Sequence, residues 1–259
     1  MSLEYAPRGL IGMLTPQANT TVEPEFNLLL PPGVAMINAR LVSDKASMSA
    51  RLVDYFANYE EALRQFANAP VGVVAAACTG ASYLAGRERE AALVRDIAAR
   101  RGHPFVTAAL AVVDALRALG ARRVGLVSPY PDELSRASVE YWRSHGFDVA
   151  EVAQVTENAG AFHPIYALGG SGATQALRTL ERRPLDAIVM LGTGMPTLTP
   201  IADAIGWGGA PVMSCNLCLA WRAVEALSGG HARRATLESW LAGEGWTARL
   251  MTHRAAVQR

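Results

Sequence analysis

Residues 71–86, VGVVAAACTGASYLAG, decide how this chain is read. Val71 to Ala77 is a short apolar run after Pro70, and its length and its paired valines predict a strand buried on both faces. Cys78 stands at the carboxyl end of that strand. The small residues Thr79, Gly80, Ala81 and Ser82 follow, and a helical pattern resumes at Tyr83. In open α/β sheets, ligands gather at the carboxyl ends of strands. The N-terminus of the next helix offers free N–H groups there, which favour a thiolate or a carboxylate. A nucleophile and an anion site therefore coincide at Cys78. The alternative is a buried packing cysteine, the usual fate of a free thiol.

Outward from this stretch, strands alternate with helices. Gly9 to Leu14 predicts the first strand, with a polar loop from Thr15 to Thr21 at its end and an acidic start at Glu23 and Glu25. Gly33 to Val42 predicts the second strand, and Ser43 or Asp44 the cap of the helix after it. In that helix Leu52, Phe56, Tyr59, Leu63 and Phe66 recur at helical spacing, a stripe expected to face the core rather than a ligand. Further helices are expected over 88–101, 108–119, 134–145, 173–182 and 219–227, and strands over 104–106, 123–127, 147–155, 186–191 and 211–213. Gly120 reads as a helix C-cap. This alternation predicts an α/β fold with parallel sheets covered by helices on both faces.

The chain also repeats itself. LIGMLTP (10–16) resembles RVGLVSP (123–129), and VGVVAAACTG (71–80) resembles DAIVMLGTG (186–194), so that Gly12 falls on Gly125 and Cys78 on Thr193. Two similar halves follow, 1–115 and 116–218, the first completed by a helix from about 219–240. Their strand-end loops would face each other across a cleft, Cys78 on one side and Thr193 on the other.

Composition narrows the partners. With 259 residues, half of them apolar (51%), the chain can bury a full core, which argues against disorder. A net charge of +1 without a basic face argues against nucleic acid. Three cysteines, an odd number, argue against a disulfide framework and for a reducing compartment. The start MSLEYAPRG lacks the pattern of a signal peptide, and no apolar run reaches membrane-span length, so a soluble cytoplasmic protein is expected. No paired Cys or His spacing suggests a metal. Cys215 and Cys218 form a C-x-x-C, read as packing with a redox dithiol as the alternative. The long loop 156–170 carries Glu157, Asn158 and His163. His163 is either an acid near the site or a loop residue holding backbone, and Gly169 to Gly172 either a phosphate cradle or a helix cap. The tail 229–259, basic with Trp240 and Trp246, is either an extra helix covering a dimer surface or a loose end.

The segments TPQANTTVEPE (15–25), ACTGASY (77–83), LVSPYPDEL (126–134), HP (163–164), LGTGMPTL (191–198) and APVMSCNLCLAW (210–221) resemble the aspartate/glutamate racemase superfamily, in its maleate cis-trans isomerase and arylmalonate decarboxylase branch. The resemblance implies two pseudo-symmetric Rossmann-like (flavodoxin-like) halves with four-stranded parallel sheets and a site in the cleft, without cofactor or metal. It implies Cys78 as nucleophile and Asn19, Tyr130 and Asn158 as ligands of substrate carboxylates. Backbone N–H groups of Thr79, Gly80, Ala81, Gly194 and Met195 are expected to complete an oxyanion site. One departure stands out. Isomerases and racemases of this superfamily carry a second cysteine where this chain has Thr193, whose hydroxyl is a poor acid without its own base. That speaks against racemisation and leaves addition and elimination by one thiolate. The expected activity is cofactor-independent cis-trans isomerisation of maleate or a related small unsaturated dicarboxylate. The alternatives are decarboxylation of a substituted malonate and non-catalytic carboxylate binding. A homo-oligomer, dimer or tetramer, is expected.

Overall fold

The computed structural model describes residues 3–155, 165 and 168–257. Two four-stranded parallel sheets share one topology. The first holds β1 (Gly9–Pro16), β2 (Val34–Leu41), β3 (Val73–Ala76) and β4 (Phe105–Thr107) in the order β2-β1-β3-β4. The second holds β5 (Arg123–Ser128), β6 (Asp148–Gln154), β7 (Ala187–Met190) and β8 (Val212–Ser214) in the order β6-β5-β7-β8. The helices of the first part are α1 (Val22–Leu29), α2 (Met48–Ala57), α3 (Tyr59–Leu63), α4 (Thr79–Ala85), α5 (Arg87–Arg101) and α6 (Ala108–Leu119). Those that follow are α7 (Asp132–Ser144), α8 (Gly170–Arg178), α9 (Leu198–Asp203), α10 (Cys215–Leu227), α11 (Arg234–Leu241) and α12 (Thr247–Val257).

The central strand β3 is apolar along its length because both its faces are covered. Val73 and Ala75 join a core with residues of α6 and α10, while Val74 and Ala76 join one built from α2, α3 and α5. Helix α6 is set by its ends. The Thr107 hydroxyl accepts from the Leu110 N–H (3.1 Å), and Gly120 closes the helix in the left-handed conformation (φ 71°). Helix α10 leaves β8 of the second sheet but packs on β1, β3, β4 and α6 of the first. Gly72 permits this close approach, since a Cβ there would lie 2.8 Å from Leu227 Cδ2.

The structure corrects several expectations. The helix after Cys78 starts at Thr79, not Tyr83, because small residues do not interrupt a helix whose first turn sits on a sheet end. The expected helix through 52–66 breaks at Asn58 into α2, α3 and a 3₁₀ turn. Its cap is Ser47, whose hydroxyl accepts from Ala50 N–H (3.2 Å), rather than Ser43 or Asp44. Helix α9 was not expected, and α10 begins at Cys215, so the C-x-x-C lies inside its first turn. The tail is neither a loose end nor a single helix. It forms α11 and α12, with Leu237, Trp246 and Leu250 buried against the chain itself. From α12, Arg249 donates to the carbonyls of Leu28 (2.7 Å) and Leu29 (3.1 Å), the orphan acceptors at the end of α1. Among the described residues no helix is long and apolar enough to cross a membrane.

Candidate active site

The carboxyl ends of both sheets open into one cavity. From the first sheet it is lined by Pro16 and by Cys78, Thr79 and Gly80; from the second by Tyr130, Gly192, Thr193 and Gly194. Met48, Arg51, Leu52 and Tyr55 of α2, with Leu134 and Ile165, close its sides. Cys78 and Thr193, matched by the internal repeat, thus share a cavity.

Cys78 is the residue at which strand geometry ends and α4 begins, and it is 4% exposed. Burial pushes its thiol up to about 12, while the Ala81 N–H at the start of α4 pulls the other way. Next to it, Thr79 Oγ1 lies 2.7 Å from Tyr130 Oη, a hydrogen bond that joins the two halves.

Thr193 does not turn its hydroxyl toward open space. Its Oγ1 donates to the Ala77 carbonyl (2.7 Å) and accepts from Asn19 Nδ2 (3.2 Å). Asn19 is buried, and its Oδ1 accepts from the N–H groups of Thr21 (2.9 Å) and Val22 (3.2 Å), opening α1. The amide of Asn19 is therefore engaged within the protein, behind Thr193 rather than on the cavity wall. Thr21 and Glu25 of the 15–25 motif behave similarly. Thr21 Oγ1 donates to the Gly194 carbonyl (2.8 Å). Glu25 accepts from Thr197 N–H (2.5 Å), Leu198 N–H (3.1 Å) and Asn216 Nδ2 (2.7 Å), and Asn216 also donates to the Thr193 carbonyl (3.0 Å). Burial raises the Glu25 pKa, and these donors oppose the rise. Asn19, Thr21 and Glu25 of this run thus clamp the loop between β7 and α9.

Met195 is fully buried in the core, away from the cavity wall. Asn158 and His163 lie outside the described residues. Met48, Arg51, Tyr55 and Ile165 escape sequence reading; of these, Arg51 and Tyr55 are polar. Arg51 is 4% exposed, and its Nη1 donates to the carbonyls of Lys45 and Ala46, both at 2.9 Å. Nothing in an amphipathic pattern distinguishes a wall that faces a cavity from one that faces a core. For the same reason Leu52, expected in the core stripe, lines the cavity. Cys215 and Cys218 are free, fully buried thiols, which fits packing and gives a redox partner no access. Among the described residues no cluster of three or more His, Cys, Asp or Glu could hold a metal.

Fold and site together define a two-lobed α/β protein with one thiol in its cleft. The chain belongs to the arylmalonate decarboxylase family, whose model matches residues 11–240. It is 30% identical over 232 residues to a maleate isomerase of Nocardia farcinica, covering 84% of this chain and 89% of that protein. It is 26% identical over 242 residues to an arylmalonate decarboxylase of Bordetella bronchiseptica, covering 84% and 95%. Among solved structures, it resembles a cysteine-to-serine variant of the Nocardia farcinica maleate cis-trans isomerase with a covalently bound succinylcysteine intermediate. That match has a TM-score of 0.75 at 26% identity, covering 85% of this chain and 93% of the other.

Proposed function

We propose that this protein is a cofactor-independent cis-trans isomerase of maleate or a related small unsaturated dicarboxylate. What carries the reading is that one cavity holds the Cys78 thiol together with Thr79, Gly80, Tyr130 and Gly194. In its thiolate form Cys78 adds to one olefinic carbon. The displaced π pair moves onto the neighbouring carboxylate as an enediolate, the former double bond rotates, and elimination of the thiolate gives the trans product. N–H groups of Thr79, Gly80 and Gly194 and the Tyr130 hydroxyl stabilise the enediolate charge. Asn158 is assigned a carboxylate on family resemblance alone. The covalent succinylcysteine in the Nocardia relative supports an adduct of this kind. Cytoplasmic location and a homo-oligomer, dimer or tetramer, belong to the same proposal; three free cysteines support the former.

A second reading has its own support. With the Thr193 proton donated to Ala77, Cys78 is the single cysteine lining the cavity, and the family model is that of arylmalonate decarboxylase. Decarboxylation of a substituted malonate needs only one proton donor, on one face. One experiment separates the readings: the protein is incubated with maleate, citraconate and aryl- or alkylmalonates in deuterated water and followed by NMR. A trans diacid supports the isomerase. Loss of CO₂ with deuterium on a single face supports the decarboxylase. Turnover of none of them overturns both.

A further inference from the structure

We propose that Asn19 and Thr193 form a relay that positions the Cys78 nucleophile, rather than groups that touch the substrate; the inference rests on Cys78 being the reactive thiol. The last pairing of β3 with β4 is Ala76 with Thr107. The Ala77 carbonyl lies beyond it, at a fully buried residue, where an acceptor without a partner is costly. Thr193 comes across the cleft from the second half and donates to it at 2.7 Å. That carbonyl belongs to the peptide plane joining Ala77 to Cys78. Fixing that plane constrains the φ of Cys78 (−148°) and thereby helps to set where its Cβ points.

Thr193 is in turn held by Asn19, whose Nδ2 donates to Oγ1 at 3.2 Å. Asn19 cannot swing away cheaply, since its Oδ1 takes two N–H groups at the start of α1. The relay thus runs from the first half to the second and back, ending one residue before the nucleophile. A hydroxyl suits this task better than a thiol, which is a weak donor. Threonine at this place makes the loop a brace for Cys78, and it removes a proton donor from the second face.

The test compares Thr193→Val, which keeps the shape and removes the hydroxyl, with Thr193→Ser, which keeps the hydroxyl. Thr193→Ala serves as a further hydroxyl-free variant should valine disturb the fold. The first readout is alkylation of Cys78 by iodoacetate, followed by peptide mass spectrometry with thermal melting as a control. The second is kcat and KM on whichever acid the unmodified protein turns over. Expected is about a tenfold slower alkylation in Val and Ala, with kcat falling and KM unchanged, and Ser within about twofold of the unmodified protein. Alkylation that is unchanged or faster in Val and Ala, or a Ser variant as slow as Val, overturns the relay. If the alkylation pattern holds while no diacid is turned over, the relay stands and the substrate reading fails.

Discussion

The two strand-end loops occupy matching places and are built differently. After β3 the chain soon enters α4, so Cys78 is the last residue before a helix, and it lines the cavity. After β7 the chain runs through residues 191–197 before α9 starts, with Gly192 in the left-handed region (φ 83°). The polar groups of this second loop are taken up by the other half: Thr193 by Ala77 and Asn19, the Gly194 carbonyl by Thr21, and Thr197 and Leu198 by Glu25. An internal repeat preserves positions, and the side chains then divide the work. One loop carries the reactive atom, and the other is a frame held by its neighbour.

The sharpest break of this asymmetry is Cys78→Ala. Loss of the nucleophile is expected to lower kcat/KM by on the order of 10³-fold or more, read by single-substrate kinetics on a folded variant. The frame answers to Glu25. Glu25→Ala leaves the Thr197 and Leu198 N–H groups and the Asn216 amide without their acceptor. A loss of roughly 3 kcal/mol is expected, or a melting temperature roughly 6–12 °C lower by calorimetry. A variant that melts with the unmodified protein would remove the clamp from the argument.

The reactive loop also has a pH signature. With its thiol pushed up to about 12, Cys78 reacts through a small thiolate fraction that grows tenfold per pH unit. Alkylation at Cys78 is expected to rise about a hundredfold from pH 7 to pH 9, and a plateau below pH 9 would contradict the burial argument. The smallest effect is expected at Cys218, buried in α10 away from the cavity wall. Cys218→Ala should leave kcat/KM within about twofold, and a large loss there would mean that the C-x-x-C does more than pack.

Much of this was legible in the chain. The strands are apolar runs of the right length, and their carboxyl ends are marked by small and polar residues. Cys78, Thr79, Gly80, Tyr130, Thr193 and Gly194 therefore fall on one cavity as read. What was hidden is direction. An Asn in a strand-end loop reads the same whether its amide meets a ligand or, as Asn19 does, a threonine hydroxyl. Arg51 looks like a solvated helix residue until the backbone around Lys45 folds over it. The tail helices have weak apolar stripes, and their placement follows from what they meet: the end of α1 for Arg249, and Asp203 at the end of α9 for Arg254.

The crossing of α10 also sets an order of events during synthesis. The face of the first sheet carrying Val73 and Ala75 is covered by a helix that begins at Cys215. At about 5–20 residues per second, that face waits on the order of ten seconds for its cover to be made. During this interval the first half is an incomplete layer, with the part of its apolar face that α10 covers still open. A circularly permuted chain that presents residues 215–227 ahead of β1 would shorten that wait and fold earlier on the ribosome.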